Sequence, residues 1–309
     1  MTHIILMFCL PFAISILLSP VTMKLSAVTG AIDIPSDFRR MHSTPIPRLG
    51  GLAFFAAFAV SALIFTDPLS SETAALISGG AIIAALGVSD DIYPLPPGVK
   101  LIGQCCAAYL AVSIIDMPNA FGFGFDILML PQTACTAYAF IKTVTLINAL
   151  NFSDGLDGLA AGESAIFFLA TTVYTFFAGN PAVFPLALIL LASVIGFIPF
   201  NRYRAKTFMG DTGSQFLGYA IAVLTLTMGD GVYLAASSLF IPLPMADMIF
   251  SVSRRILSGK NPFRPDKGHI HHRLVMRGFS HPGAVRFLVA VSAVCAGIGV
   301  YAALLHPIS

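Results

Sequence analysis

The chain has 309 residues, of which 57% are hydrophobic and 10% are charged, and its formal net charge is +2. Soluble domains average about half apolar and a quarter charged residues, so this composition excludes an ordinary soluble protein and indicates an integral membrane protein. A net charge this small gives no reason to expect a nucleic-acid partner.

An apolar helix needs roughly 20 residues to cross a hydrocarbon core about 30 Å thick. Ten segments of suitable composition account for most of the chain. This pattern predicts a single domain over residues 1–309 with the fold of an all-α polytopic membrane protein. The predicted spans are 4–21, 50–66, 73–89, 99–115, 131–150, 158–177, 183–200, 212–229, 232–250 and 286–305.

Lys and Arg are distributed unevenly over the connections between these spans. Sixteen of the 17 lie in the stretches 22–49, 89–100, 201–211 and 251–286. Basic loops stay in the cytoplasm during membrane insertion, so these stretches are predicted to be cytosolic, together with 148–157 by alternation. Ten spans then place both termini outside. On the outer face, the period-two pattern Phe-Gly-Phe-Gly-Phe at 121–125 predicts a small β-hairpin.

The third span ends in the sequence GVSDDIYPLPPGVKL, at residues 87–101. Asp90 and Asp91 are adjacent there, at the predicted cytosolic boundary. Two neighbouring carboxylates repel each other unless a cation relieves the repulsion, and Mg²⁺ takes oxygen ligands of this kind. A solvated acidic helix end is the alternative interpretation.

The fifth and sixth spans meet at NALNFSDGLDGLAAG, residues 148–162. Glycine in this turn lets the backbone approach a ligand closely. Asp154 and Asp157 are each compatible with simple helix N-caps. Together with two nearby Asn side chains they predict a binding turn, because amides and carboxylates can bind the polar edge of a base or sugar.

The eighth span opens with FMGDTGSQFLGY, residues 208–219, after the bases Arg202, Arg204 and Lys206. Free amides at a helix N-terminus attract phosphate, but Asp211 at the same position would repel it. A carboxylate, Mg²⁺ and phosphate arrangement resolves this conflict. N-capping by Asp211 alone is the other interpretation.

The loop NPFRPDKGHIHHRL, residues 261–274, contains His269, His271 and His272. The bases around them are Arg264, Lys267 and Arg273. No Cys or acid at ligand spacing completes a zinc site, and the surrounding positive charge disfavours a cation. The cluster suits a diphosphate, because Arg and Lys neutralise it and imidazole donates hydrogen bonds in either protonation state.

Three further groups of charged residues have less specific interpretations. The first cytosolic loop carries Arg39, Arg40, His42 and Arg48, which topology explains in part and which also suit lipid headgroups. Asp247 lies near the cytosolic end of the ninth span, within reach of the predicted site. Lys142 lies within the fifth span, where an internal salt bridge is expected.

These stretches, in this order, resemble the polyprenyl-phosphate N-acetylhexosamine-1-phosphate transferases, the family that contains MraY and WecA. The most specific parts are NALNFSDGLDGLAAG, FMGDTGS and the Asp90-Asp91 pair, and the resemblance covers nearly the whole chain. The spacing in GHIHHRL is similar to the WecA side of the family, which uses UDP-N-acetylhexosamines.

The resemblance implies about ten helices around a cytosol-facing cleft in the bacterial inner membrane. It also implies Mg²⁺, with Mn²⁺ as a substitute, and transfer of a sugar 1-phosphate from a UDP-sugar to a polyprenyl phosphate with release of UMP. The expected sugar is N-acetylglucosamine, in the first membrane step of a cell-surface glycopolymer. UDP-GalNAc, a deoxy-N-acetylhexosamine and UDP-MurNAc-pentapeptide remain alternatives, and the oligomeric state stays open, a homodimer included.

By motif position, Asp211 would hold Mg²⁺, while Asp90 and Asp91 would serve the metal and the lipid phosphate. His271 and His272 would orient the diphosphate, with His269 as a third imidazole. The remaining residues predicted to bind substrate are Asn148, Asn151, Asp154, Asp157, Asn201, Lys100, Arg48 and Arg273.

A secondary transporter is the rival from another class, because it too places ionisable residues in apolar helices. Transporter sites lie near the bilayer midplane between repeated halves. Here the acids gather at one predicted boundary and no internal repeat is visible, so the sequence favours the enzyme.

Overall fold

The computed structural model describes residues 1–35, 44–115, 120–123, 126–129, 131–228, 231–259 and 268–305. The helices are α1 (Thr2–Thr29), α2 (Gly51–Phe65), α3 (Ser71–Ile92), α4 (Pro97–Ile114), α5 (Gln132–Ser153), α6 (Leu159–Phe177), α7 (Val183–Asn201), α8 (Gly210–Thr227), α9 (Gly231–Phe240), α10 (Pro242–Leu257), α11 (Ile270–Met276) and α12 (His281–Leu305). The strands are β1 (Ile32–Asp33), β2 (Ile46–Pro47), β3 (Ala120–Phe123) and β4 (Asp126–Met129). The predicted all-α polytopic class is confirmed.

Seven of the described helices are long and apolar enough to cross a membrane. They are α1, α3, α4, α5, α6, α7 and α12. Two other predicted spans differ from these seven. The second span corresponds to α2, a helix of only 15 residues, and the eighth corresponds to α8, which carries polar residues in its first two turns. The bundle therefore contains helices that differ in length and polarity, rather than ten equivalent spans.

The prediction of one continuous ninth span over 232–250 is wrong. The chain there forms two helices, α9 and α10, which are separated at Ile241. Ile241 has φ −136° and ψ 53°, outside the helical region, and Pro242 follows it. Proline has no N–H to continue the hydrogen-bond ladder and disfavours helical geometry in the preceding residue, so the break occurs at this position.

Helix α8 lies at the centre of the bundle and is buried along nearly its whole length. Glycines let its neighbours approach its backbone. A Cβ atom on Gly87 of α3 would lie 2.3 Å from the Cα of Thr212, and one on Gly218 would lie 2.4 Å from the carbonyl oxygen of Leu146 in α5. This close packing, typical of small residues between membrane helices, brings the ends of α3 and α5 against the start of α8.

All the predicted cytosolic connections that the structure describes meet at one end of the bundle. The carbonyl of Ala31, after α1, accepts a hydrogen bond from Arg48, whose guanidinium contacts Asp91 at the end of α3. At the opposite end, β3 and β4 pair antiparallel between α4 and α5, which confirms the predicted hairpin.

Lys142 lies at the middle of α5, as predicted, but the expected salt bridge is not found among the described residues. Its ammonium lies 5.9 Å from the centroid of the Tyr138 ring, one turn closer to the start of the helix. A cation over an aromatic face is attracted by the ring quadrupole. The contact therefore replaces part of the stabilisation that a carboxylate was expected to provide.

Candidate active site

The carboxylate of Asp91 caps the N-terminus of α8. Its Oδ1 atom accepts from the backbone N–H of Asp211 at 3.0 Å, and its Oδ2 atom accepts from the N–H and hydroxyl of Thr212 at 3.1 and 2.8 Å. Gly210, with φ +64°, lets the chain turn into the helix directly against this carboxylate. Arg48 approaches Oδ1 at 3.3 Å. Asp91 thus fixes where α8 begins, and hence where Asp211 lies.

Asp90 faces a different partner from its neighbour. Its Oδ1 atom accepts from the N–H of Leu95, and its Oδ2 atom lies 2.7 Å from the ammonium of Lys100. The same ammonium lies 2.8 Å from Oδ2 of Asp211. Lys100 therefore holds together the carboxylates of two residues that are 121 positions apart in sequence, and all three side chains are at least half buried.

A chain of three side-chain amides leads from Asp211 into the bundle. Gln215 donates to Asp211 at 2.8 Å and accepts from Gln104 at 3.0 Å, and Gln104 in turn accepts from Asn148 at 2.8 Å. Each amide is oriented by the next, because its oxygen and its nitrogen have different partners. Asn148, predicted to bind substrate, is positioned in this structure to support Asp211.

Next to these carboxylates, a cavity of about 320 Å³ opens between the helix ends. It contains seven of the predicted site residues: Arg48, Asn151, Asp154, Asp157, Asn201, Asp211 and His272. Its other lining residues are Asp33, Gly155, Leu156, Phe208, Gly210 and His281. The cavity thus combines carboxylate, amide, imidazole and guanidinium groups contributed by four separate stretches of the chain.

The turn between α5 and α6 is fixed from two sides. Asp157 accepts at Oδ2 from the N–H of Ala205 at 3.0 Å, and its own N–H donates to Nε2 of His281 at 2.8 Å. Asn201 donates to the carbonyl of Thr207, whereas its buried oxygen has no hydrogen-bond partner among the residues that the structure describes. A buried acceptor without a partner is costly, so a ligand that donates to it would bind favourably.

Asp154 lies partly buried at the centre of this turn. Burial, together with the charges of Asp211 and Asp91 and against the opposing effect of Arg48, raises the pKa of its carboxyl to about 7. A carboxyl with a pKa in this range takes up or releases a proton near neutrality. In the proposed site it would donate or accept a hydrogen bond according to the ligand that it meets.

This shifted pKa predicts that the effect of Asp154→Asn on stability depends on pH. The unfolded carboxyl titrates near 4, so between pH 4 and 7 the folded protein retains a proton that the unfolded chain has released, and stability falls as pH rises. The Asn variant lacks this loss. Its stability relative to wild type in detergent with EDTA should therefore rise between pH 5 and pH 8, by at most about 2–3 kcal/mol, and its melting temperature should rise accordingly.

Asp67→Asn is a matched control, because Asp67 is exposed at the opposite end of the bundle and accepts one backbone N–H. Its melting temperature should follow that of wild type at both pH values. If the difference in stability between Asp154→Asn and wild type is the same at pH 5 and at pH 8, the raised pKa of Asp154 is contradicted.

The three predicted imidazoles differ in their surroundings. His272 lines the cavity, while His271 packs with its Nε2 atom against Gly155, where a Cβ atom would meet it. Burial, together with the neighbouring His272 and His269, lowers the pKa of His271 to about 3, so its ring is neutral at physiological pH. His269 is buried and pairs with Asp247. Only His272 of the three is in position to contact a ligand in the cavity directly.

Several predicted residues lie outside the cavity. Asp90, Asp91 and Lys100 lie around Asp211, Asn148 is linked to it only through Gln104 and Gln215, and Arg273 lies exposed on α11. The roles predicted for these residues in substrate binding stay predictions. The basic and imidazole residues Arg39, Arg40, His42, Arg264 and Lys267 lie outside the described residues.

Two titratable residues of the cavity, Asp33 and His281, were missed by the sequence analysis. His281 begins α12, and its ring centroid lies 4.9 Å from that of Tyr203. Both residues fall in stretches predicted to be cytosolic, and this location was the available signal. An acid or imidazole in such a stretch is a candidate even when no recognised motif surrounds it.

The donor set fits Mg²⁺ without forming a closed metal cage. Among the described residues, no group of three or more His, Cys, Asp or Glu side chains is arranged as a metal site. Mg²⁺ commonly takes one or two carboxylates and completes its shell with water and substrate phosphate. Asp211 and Asp90 supply such carboxylates, and the bridging ammonium shows that a cation is accommodated between them. The oxygens of Asp91 are already engaged by the start of α8.

The fold and site together define a polytopic helical membrane protein with an acidic and imidazole-containing cavity at one end of its bundle. The sequence profile of glycosyl transferase family 4 matches residues 73–229, about half of the chain. The chain belongs to this family, which confirms the resemblance predicted from the motifs.

Individual relatives match over most of their length. A probable undecaprenyl-phosphate N-acetylglucosaminyl 1-phosphate transferase of Bacillus subtilis is 34% identical over 95% of this chain and 85% of its own. A decaprenyl-phosphate N-acetylglucosaminephosphotransferase of Mycobacterium leprae is 33% identical over 81% of this chain and 71% of its own. An undecaprenyl-phosphate alpha-N-acetylglucosaminyl 1-phosphate transferase of Salmonella typhi is 27% identical over 92% and 79%.

Proposed function

We propose that this protein transfers N-acetylglucosamine 1-phosphate from UDP-N-acetylglucosamine to a polyprenyl phosphate and releases UMP. One observation carries the proposal: Lys100 joins Asp90 and Asp211 beside a cavity that contains Asn151, Asp154 and other polar groups. In a member of this family, these carboxylates and the Lys100 ammonium would lie where the two phosphate-containing reactants must meet. The relatives above carry names that describe the same transfer.

The reaction brings together two anionic reactants, so its barrier is dominated by electrostatic repulsion. An oxygen of the lipid phosphate attacks the β-phosphorus of the nucleotide sugar. The new P–O bond forms as the bond from that phosphorus to the bridging oxygen breaks, and UMP leaves with that oxygen. Phosphoryl transfer of this kind depends on positioning and on positive charge more than on covalent help from the protein.

The cavity offers different groups to the two ends of the nucleotide sugar. We assign the nucleoside to the turn that contains Asn151, Asp154 and Asp157, whose amide and carboxyl groups suit hydrogen bonding to a base or ribose. The phosphates would then lie toward Arg48 and Lys100, which supply positive charge, and toward His272. Mg²⁺, held by Asp211 and Asp90, would supply further positive charge to the phosphate oxygens when bound.

No protein base is required to activate the nucleophile. A phosphate monoester has its second pKa near 6, so the lipid phosphate is mostly dianionic at neutral pH. Asp90 is also engaged by Lys100 and by the N–H of Leu95. We therefore assign Asp90 to positioning Lys100 and the cation site rather than to proton transfer.

Asp90→Asn should therefore lose activity by about 10²-fold or more, and raising the pH should not restore it. The Asn side chain leaves Lys100 with one carboxylate instead of two, a defect that alkaline pH does not repair. UMP release measured from pH 7 to pH 9, for the variant and for wild type, checks this expectation. Recovery of near-native turnover at pH 9 would instead assign Asp90 as a base.

The cellular setting follows from the same proposal. We assign the protein to the bacterial inner membrane with the cavity facing the cytoplasm, where nucleotide sugars are available and where basic loops are retained. The product would begin the assembly of a cell-surface glycopolymer on its lipid carrier. Other UDP-linked sugars, among them UDP-GalNAc, a deoxy-N-acetylhexosamine and UDP-MurNAc-pentapeptide, are outcomes of the test below.

Purified protein in detergent with Mg²⁺, undecaprenyl phosphate and a panel of UDP-sugars tests the proposal, with UMP and the lipid product measured together. The expected result is UMP release that requires the lipid and is fastest with UDP-N-acetylglucosamine. Replacing Mg²⁺ with Mn²⁺ should support activity, and EDTA should abolish it. Uptake of a solute into proteoliposomes without UMP release would favour a transporter.

A further inference from the structure

Asp247 is a buried carboxylate that the proposed reaction does not use directly. Asp247 is 6% exposed on α10. Its Oδ2 atom lies 2.7 Å from Nδ1 of His269, and its Oδ1 atom accepts from the backbone N–H of Ile270, also at 2.7 Å. Both oxygens of one carboxylate are thus directed at the start of α11.

The contact between Asp247 and the N–H of Ile270 fixes the start of a short helix. His269 is the N-cap residue of α11, but its own side chain makes no capping hydrogen bond. The N–H of Ile270 belongs to the first turn, where no carbonyl within the helix is available to accept it. Asp247 accepts it instead. Two turns further along α10, Arg254 donates to the carbonyl of Gly268 at 3.3 Å, so the segment entering α11 is held at two points.

The contact between Asp247 and Nδ1 of His269 determines which ring nitrogen carries the imidazole proton. An ionised carboxylate only accepts hydrogen bonds, so Nδ1 of His269 must carry a proton to bond to it. In the neutral ring, Nε2 is then an acceptor. The same arrangement of carboxylate and imidazole fixes ring orientation and tautomer in many enzymes and metal sites.

The ring of His269 is part of a packed array that reaches the cavity. It lies 5.7 Å from the ring of Phe152 at the end of α5, and 5.7 Å from the ring of His271 with the two planes at 3°. The ring of His271 lies 4.3 Å from that of His272, which lines the cavity. A rotation of the His269 ring therefore requires the rings of Phe152 and His271 to move as well.

We infer that Asp247 is a positioning residue for the histidine motif: it holds His269 as the Nδ1–H tautomer, caps α11, and so places His272 in the cavity. The effect on turnover rests on the function proposed above, whereas the tautomer assignment does not. Asp247 acts through His269 and has no contact with the reactants.

The decisive variant is Asp247→Asn, because its consequences for the helix cap and for the tautomer differ. The amide oxygen still accepts from the N–H of Ile270, which preserves the cap. The amide nitrogen, however, is a donor, so it bonds to an unprotonated Nδ1 and moves the ring proton to Nε2. A purely structural role for Asp247 would be satisfied by the cap alone and would leave the tautomer without consequence.

The experiment measures ¹⁵N chemical shifts of histidine-labelled full-length protein in detergent at a pH where His269 is neutral. The His269 signals are assigned by their loss in His269→Gln. Wild type should show the proton on Nδ1, and Asp247→Asn should show it on Nε2. UMP release by Asp247→Asn should fall about 10- to 100-fold, the range observed when carboxylate partners of functional imidazoles are removed, with kcat affected more than KM.

Asp247→Glu and Asp67→Asn complete the test. Glu retains the acceptor and should keep the wild-type tautomer and more of the turnover than Asn. Asp67→Asn also converts an N–H-accepting carboxylate into an amide, but at the far end of the bundle, and should match wild type in both measurements.

Wild-type spectra that place the His269 proton on Nε2 would overturn the proposal. This outcome does not depend on whether a variant at position 247 folds. Unchanged turnover in Asp247→Asn after a change of tautomer would overturn the positioning role. If wild type releases no UMP with any sugar, the proposed function fails, while the spectra still decide the state of His269.

Discussion

Replacing Asp211 with Asn is expected to reduce UMP release by about 10³-fold while leaving the fold intact. The amide is nearly the same size as the carboxylate, and its oxygen still accepts from Lys100 and Gln215, whose contacts are both to one oxygen of Asp211. The variant lacks the negative charge needed to bind a divalent cation and balance the ammonium. Losing a preorganised electrostatic group in such a site commonly costs two to three orders of magnitude.

Turnover and the shift in melting temperature on adding Mg²⁺ should be measured together. Wild type is expected to be stabilised by Mg²⁺, because any ligand that binds only the folded state raises its stability. Asp211→Asn should lose most of this shift, and Asp67→Asn should keep it. Full activity, or an unchanged Mg²⁺ shift, in Asp211→Asn would remove this residue from the proposed site.

Replacing Lys100 with Met should both inactivate and destabilise the protein. The apolar side chain leaves the carboxylates of Asp90 and Asp211 close together without their shared cation. Breaking a buried ion pair from one side costs about 3–5 kcal/mol, and we expect the lower end because the Lys100 side chain is 26% exposed. Turnover should fall by about 10²-fold or more, because a cation directed at the phosphates is lost.

The stability of Lys100→Met should respond to Mg²⁺ more strongly than that of wild type. A divalent cation between the two carboxylates would replace the missing ammonium, so part of the loss in melting temperature should be recovered. Lys206→Met is the matched control, because Lys206 is an exposed lysine at the same end of the bundle. Comparable losses of melting temperature in Lys100→Met and Lys206→Met would show that the ion pairs of Lys100 with Asp90 and Asp211 contribute little to stability.

The sequence analysis predicted the membrane class, the presence of the β-hairpin and the convergence of the motifs at one end of the bundle. These predictions succeeded because composition, hydropathy and basic residues act locally, on each segment as it meets water or lipid. The ninth span was predicted incorrectly for a local reason as well: its apolar character was noticed, while the backbone restriction imposed by Pro242 was not.

The adjacent carboxylates of Asp90 and Asp91 show that the sequence did not determine which partner each side chain contacts. Asp90 and Asp91 were predicted to share a role, yet one pairs with Lys100 and the other caps α8. Successive residues on a helix point about 100° apart, so each carboxylate meets a different neighbour. The chain alone does not specify how α3 is rotated against α8.

From the amino-acid sequence alone came the kind of protein and the segments that carry chemistry, because each of these depends on the solvent preference or motif of one stretch of chain. The tertiary structure alone decided that Lys100 bridges two carboxylates, that Asp247 holds His269, and that His281 reaches the cavity. These contacts join residues from 10 to 124 positions apart. They depend on the packing and rotation of whole helices, which glycines such as Gly87 and Gly218 permit by close backbone approach.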